Sequence, residues 1–197
     1  MSNSTIIQNL QTAIDLKQQI ITDFQMQITI TQIHEEMVKS LKNGGKILFC
    51  GNGGSAADAQ HLSAELSGRY YFDRPPLFAE ALHVNTSYLT AIANDFSYDE
   101  VYARLTVAMG KPGDVLIGLS TSGNSTNVVK AMKKANTVGM VTVGFTGQGG
   151  GKMKEDCDYL IEINSKDTPR IQECHMHIGH TLCQLVERDM FPDYVPK

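Results

Sequence analysis

The chain has no tryptophan, few aromatic residues of any kind (7%), and only 6 prolines and 4 cysteines in 197 residues. No two of Cys50, Cys157, Cys174 and Cys183 form a C-x-x-C pair, which excludes a zinc ribbon and argues against a disulfide framework. They read as reduced thiols, so a cytoplasmic location is expected. No apolar run approaches the ~20 residues of a membrane span. Met1 to Thr5 is polar and uncharged, with no basic stretch ahead of an apolar core, so no signal peptide is expected. Basic clusters are also missing, and 17 Lys+Arg against 21 Asp+Glu leave a net charge of −4. Neither a nucleic acid nor a membrane surface is an expected partner. What is present is globular in character, with 42% hydrophobic and 19% charged residues. A chain of this length buries roughly 70% of its unfolded surface and needs no covalent staple.

The first 43 residues contain neither Gly nor Pro. Ile6, Leu10, Ile14, Ile20, Ile21, Phe24, Ile28, Ile33, Met37, Val38 and Leu41 recur at helical spacing, which predicts one or two long helices ended by Asn43-Gly44-Gly45. Their length and isoleucine content favour oligomerisation helices over a cover helix for one domain. Residues 1–43 are therefore read as N-terminal oligomerisation helices and 44–197 as an α/β domain that includes a C-terminal helix from about Thr168 to Asp189. In that domain, five short apolar runs begin at Lys46, Ala79, Val115, Met140 and Tyr159. They alternate with loops and helical pattern, which predicts a doubly wound, five-stranded parallel sheet flanked by helices.

In such folds ligands bind where strands end and helices begin. Two of these loops are unusual. Cys50-Gly51-Asn52-Gly53-Gly54-Ser55-Ala56-Ala57 follows strand one and opens a helix, so its backbone can approach a ligand closely and its helix start favours an anion. It matches G-x-G-x-x-A, but strand two ends His83-Val84-Asn85, without the acidic residue a dinucleotide site places about 20 residues on. Ser120-Thr121-Ser122-Gly123-Asn124-Ser125-Thr126 follows strand three. Hydroxyls at Ser120, Thr121, Ser122 and Ser125 beside a helix start suit a phosphate held without Lys or Arg. A single capping serine in a polar turn is the plainer alternative.

His61 and Glu65 stand at i and i+4 and share a helix face, either as an ordinary exposed pair or as part of a site. The last helix carries Gln172, Glu173, His175, His177 and His180. Ile171, Cys174, Ile178, Leu182 and Leu185 mark its apolar face, and His175 falls within it as a packed histidine. Gln172 and His180 are separated by a rise of about 12 Å. If both serve one metal ion, ligands drawn from different subunits are the easier arrangement.

Gly51-Asn52-Gly53-Gly54-Ser55, His61-x-x-x-Glu65-Leu66-x-Gly68-Arg69, Asn94-Asp95-Phe96, Ser120 to Ser125, and Arg170-Ile171-Gln172-Glu173 with His180 together resemble the sugar isomerase (SIS) domain family. Within it the likeness is to the branch acting on sedoheptulose 7-phosphate. The resemblance implies a flavodoxin-like SIS fold and a cytoplasmic homotetramer with active sites between subunits. It implies conversion of sedoheptulose 7-phosphate to D-glycero-D-manno-heptose 7-phosphate, the first step towards the heptose of lipopolysaccharide core. It also implies one zinc ion (Zn2+) per subunit, held by His61, Glu65, Gln172 and His180. Substrate contacts carried over by position are Asn52, Gly53, Gly54, Ser55, Glu65, Asn94, Asp95, Ser120, Thr121, Ser122, Ser125 and Gln172. One departure is Pro169, where some members have Asp before the Arg-Ile-Gln-Glu block.

An aldose–ketose isomerisation through an enediol needs a base at carbon and an acid at oxygen. Glu65 is the candidate base and His180 the candidate acid. The alternative of a different class is a non-enzymatic SIS tetramer that binds the bacterial replication initiator protein. Such a module has no need of His61, Glu65, Gln172 and His180 together.

Overall fold

The computed structural model describes residues 2–193. The elements run α1 (Ser2–Thr22), α2 (Phe24–Lys42), β1 (Ile47–Gly51), α3 (Gly54–Ser67), β2 (Ala79–Ala81), α4 (Thr86–Asp95), α5 (Val101–Met109), β3 (Val115–Ser120), α6 (Thr126–Val138), β4 (Val141–Thr146), β5 (Tyr159–Glu162) and α7 (Thr168–Met190). Short 3-10 helices at Tyr98–Glu100 and Gly151–Asp156 precede α5 and β5. All five strands are parallel, in the order β2-β1-β3-β4-β5. This is the flavodoxin-like order, and its switch point lies between β1 and β3. The predicted sheet is thus present, strand for strand.

Two cores form because successive residues of a strand point to opposite faces. Ile47 and Phe49 of β1, with Ile117, Leu119, Val143 and Phe145, pack under α2, α3 and α7. Leu48, Cys50 and Leu116 pack under α5 and α6 with Tyr102, Val128 and Met132.

The N-terminal helical pattern resolves into two helices that part at Asp23. Its carboxylate accepts the Met26 backbone N–H at 2.9 Å and caps α2. Ile33, Met37, Val38 and Leu41 of α2 are buried against the sheet, so α2 shares the core of the α/β domain. Helix α1 differs. Leu16 is buried, but Ile6, Ile7, Leu10, Ile14 and Ile21 lie open, with Ile14 57% exposed.

At the N-terminal edge of the sheet, Asp114 accepts the backbone N–H groups of Lys46 and Lys111 and pairs with the Lys46 ammonium. Both side chains are buried, and this network ties β1 to β3 at the edge away from the ligand loops.

His175 lies in the core, as its position on the apolar face of α7 predicted. Its Nε2 donates to the Thr146 carbonyl at 3.1 Å, its ring meets Phe145 edge-on, and Nδ1 is buried without a partner. Burial lowers its pKa from 6.5 to about 4, with the carbonyl opposing. The ring is neutral in the fold but charges more readily in the unfolded chain. Stability is therefore full above about pH 6.5 and falls as the pH drops towards 4, by about 3 kcal/mol from this residue. Melting temperatures across that range check this: in His175→Leu the decline should be shallower than in wild type.

Candidate active site

Helices α3 and α7 run parallel on one face of the sheet. Their contacts keep a nearly constant register: Gly54 faces Gln172, and Leu62 faces Gly179 and Cys183. A Cβ on Gly179 would lie 2.6 Å from the Leu62 side chain, so glycine sets how closely the helices approach. That spacing places His180 beside His61. The two rings stand 5.0 Å apart, edge to face. His61 Nε2 lies 3.1 Å from Glu65 Oε1. One ligand atom each from His61, Glu65 and His180 fall within 4.8 Å of one another. Two imidazole nitrogens and a carboxylate oxygen are the three-ligand donor set that catalytic metal sites use while leaving a further position open. His61 is exposed and the other two are half-buried, so the cluster faces outward from the chain.

Burial lowers the pKa of His180, assisted by His61 and His177 and opposed by Glu65, which favours the neutral ring a metal ligand requires. Tyr70 stacks on His180 with ring centroids 5.7 Å apart. Burial, with Tyr71 beside it, pushes the Tyr70 phenol up to about 12.

Gln172 is not in this cluster of its own chain. It sits two turns earlier on α7, against the start of α3, where a Cβ on Gly54 would lie 2.6 Å from its amide. Gln172 and His180 do line the same open groove of about 570 Å³, with Lys17, Asp58, Pro169 and His177. Pro169 occupies the first turn of α7, where its missing N–H costs nothing. Asp58 and Glu173 supply carboxylates to this groove, and Asp58 is the more enclosed of the two. Its Oδ2 is buried without a partner, and burial raises its pKa against the opposing influence of His61.

The two ligand loops end β1 and β3, adjacent strands at the switch point. Each leads into a helix whose N-cap residue, Gly53 or Ser125, makes no side-chain cap. Ser125 turns its hydroxyl to Ser120 Oγ at 2.9 Å, and Ser120 is buried. Ser122 Oγ accepts the Asn124 N–H at 3.1 Å, and Thr121 is half-buried beside it. Gly123 takes φ +65°, and a side chain there would collide with the Gly150 carbonyl. Ser55, in the first turn of α3, is buried.

The loops are tied together by a reciprocal amide pair. Asn52 donates to Asn127 at 2.8 Å and Asn127 returns the bond at 2.9 Å. The Tyr98 hydroxyl adds a third bond to Asn52 at 3.0 Å. Asn94 and Asp95 are exposed at the end of α4, hydrogen-bonded to each other at 2.9 Å. Tyr98, which bonds Asn52, follows Asp95 by three residues.

Sequence reading missed Asp58, Tyr70, Tyr98 and Asn127. Only Asn127, an amide just inside a helix that opens a ligand loop, left a signal that could have been read. Burial pushes the Cys50, Cys157 and Cys183 thiols up to about 12, which removes them as nucleophiles.

Comparison with known proteins agrees with this geometry. The SIS domain family matches residues 10–147. The phosphoheptose isomerase of Aneurinibacillus thermoaerophilus is 48% identical over 189 residues, 96% of each chain. That of Rhodospirillum rubrum is 57% identical over 148 residues, 75% of this chain and 79% of the relative. The solved phosphoheptose isomerase of Neisseria gonorrhoeae superposes with a TM-score of 0.89 at 39% identity, over 95% of this chain and 99% of the other. The chain belongs to the SIS domain family, in its phosphoheptose isomerase branch.

Proposed function

We propose that the protein isomerises sedoheptulose 7-phosphate to D-glycero-D-manno-heptose 7-phosphate through an enediol. The observation that carries this reading is the His61–Glu65–His180 cluster. A non-enzymatic module that binds a replication protein has no use for it, and the relatives at 48–57% identity are named as isomerases.

The phosphate end of the sugar docks at the Ser120–Ser125 loop and the start of α6. Neutral hydroxyls and the helix dipole balance its charge there. Held at that end, the sugar presents its C1 and C2 to the Glu65 of a neighbouring subunit, since along its own chain Glu65 lies about 16 Å beyond Gly54 on α3, and binding energy far from the reacting carbons goes into orientation. The Gly53–Gly54 backbone, Ser55 and the amide of Gln172 face its hydroxyls, with Asn94 and Asp95 at the rim. Glu65 takes the proton from C1 of the ketose and returns it to C2. His180 exchanges protons with the C1 and C2 oxygens as the enediol forms and collapses.

His61, Glu65 and His180 would hold zinc, with Gln172 completing the set. A bound zinc ion supplies Lewis acidity at the sugar oxygens. One Glu65 oxygen faces His61, and the other serves the proton transfer. Since Gln172 lies two turns from His180 on α7, a Gln172 from a second subunit is the economical fourth ligand. That arrangement accords with a homotetramer whose active sites lie between chains. The uncovered Ile6, Ile7, Leu10 and Ile14 of α1 give such an assembly its apolar surface. Four free cysteines and no helix, among the described residues, long and apolar enough to cross a membrane accord with a cytoplasmic enzyme.

Proton NMR of the reaction in deuterated water tests the chemistry. The product should carry deuterium at C2, and turnover should stop with chelator and return with zinc. No product from the folded protein in any arm would overturn the isomerase reading. Glu65→Gln should lower kcat by about 10²–10⁴-fold while leaving the circular dichroism spectrum intact, as loss of a general base does. Ser125→Ala should raise KM for the sugar phosphate about tenfold or more in steady-state kinetics, since a hydrogen bond to a charged group contributes ~1.5–3 kcal/mol.

A further inference from the structure

Behind the site lies an ion pair that the proposed chemistry does not use. Arg74 and Glu187 are both buried, with side chains 0% and 1% exposed, and Arg74 Nε meets Glu187 Oε1 at 2.9 Å. A buried pair of this kind is not needed for stability, because well-packed apolar residues often serve as well. Its hydrogen bonds are directed at particular groups.

The remaining Arg74 nitrogens go to the end of α3. Nη2 donates to the Glu65 carbonyl at 2.9 Å, and Nη1 donates to the Leu66 carbonyl at 2.7 Å and the Gly68 carbonyl at 3.1 Å. Glu65 and Leu66 lie in the last turn of α3, where carbonyls have no partner within the helix. This is also the turn most prone to fray, and it carries the proposed base. The guanidinium closes that turn, and its charge suits the negative end of the helix dipole.

Glu187 acts on the other side. Its two oxygens accept the backbone N–H groups of Tyr70 at 2.8 Å and Tyr71 at 2.7 Å. Tyr70 is the residue whose ring stacks on His180. Glu187 is itself on α7, two turns beyond His180, and the Phe191 ring covers the guanidinium. One buried pair therefore grips the backbone of Glu65 and, through Tyr70, the ring of His180. It also bolts the end of α3 to α7.

We infer that Arg74 and Glu187 are positioning residues of the active site, holding Glu65 and His180 in the separation that metal binding and proton transfer require. The inference rests on the proposed roles of Glu65 and His180. Neither Arg74 nor Glu187 touches the reacting atoms. Arginine is required because only its planar fork reaches the carboxylate and four carbonyls, that of Pro75 included, at once.

The test compares wild type with Arg74→Lys, Glu187→Gln and Tyr70→Leu. Asp114→Asn serves as a control, since it breaks a second buried pair whose hydrogen bonds go to Lys46 and Lys111 and not to α3 or α7. Each is measured for melting temperature, for zinc retention against a colorimetric chelator, and for kcat and KM with sedoheptulose 7-phosphate. Arg74→Lys, Glu187→Gln and Tyr70→Leu should weaken zinc retention by about 10–100-fold, as loss of groups that orient metal ligands does. Their kcat should fall at least about tenfold with KM within about threefold, because the phosphate loop is untouched. Asp114→Asn should melt earlier but keep zinc retention and kcat. The inference is overturned if Arg74→Lys and Glu187→Gln behave as Asp114→Asn does. Should those two fail to fold, Tyr70→Leu decides alone, since it removes the stack and leaves the buried pair in place. If wild type turns over no substrate, the isomerase reading falls, while the zinc competition still decides the positioning role.

Discussion

The close parallel packing of α3 on α7 is the constraint from which the site follows. Gly179 lies against Leu62 with no room for a side chain, so the two helices approach to a distance set by backbone. At that distance a pair on one helix, His61 and Glu65, meets a histidine on the other. Were the helices a side chain's width further apart, His61 and Glu65 would be an ordinary solvent-exposed i, i+4 pair worth a few tenths of a kcal/mol. Packing here creates a chemical capacity that neither helix has alone.

The two ligand loops rest on a different device. Two adjacent strands deliver two helix starts to the switch point, and neither N-cap residue caps its own helix. Ser125 has a hydroxyl that could do so, but it turns to the buried Ser120 instead. At the α6 start Asn127 Oδ1 accepts the Val128 N–H at 2.9 Å, while Ser125 makes no side-chain cap to the N–H groups ahead of it, which suits an outside anion. The Asn52–Asn127 amide pair holds the two loops in fixed relation. A chain with net charge −4 can bind an anionic sugar because local dipoles, rather than overall charge, govern the site.

Both buried ion pairs lie at the end of the sheet away from the ligand loops, but they bind different elements. Lys46–Asp114 stitches β1 to β3 at the edge remote from the ligand loops, where its hydrogen bonds go to chain turns. Arg74–Glu187 joins the end of α3 to α7, where its bonds go to the backbone of Glu65, Tyr70 and Tyr71. Similar pairs therefore have different consequences, decided by what their spare donors and acceptors reach.

Much of this was legible in the linear sequence. Alternation of apolar runs with helical periodicity specified the parallel sheet, since period and burial follow from local geometry. The glycine and hydroxyl loops announced themselves, because positive φ and helix starts demand particular residue types. His175 could be assigned to the core from its place on the apolar face of α7. What remained hidden depended on residues far apart in the chain. Asn127 meets Asn52 across 75 positions and Glu187 meets Tyr70 across 117. Sequence spacing named His61, Glu65, Gln172 and His180 but could not divide them. The parallel register of α3 and α7 placed His180 with His61 and Glu65, and Gln172 with Gly54. Local patterns determine elements and loop chemistry because those forces act within a few residues. Which side chains meet is decided by how the elements pack, and only the tertiary structure holds that.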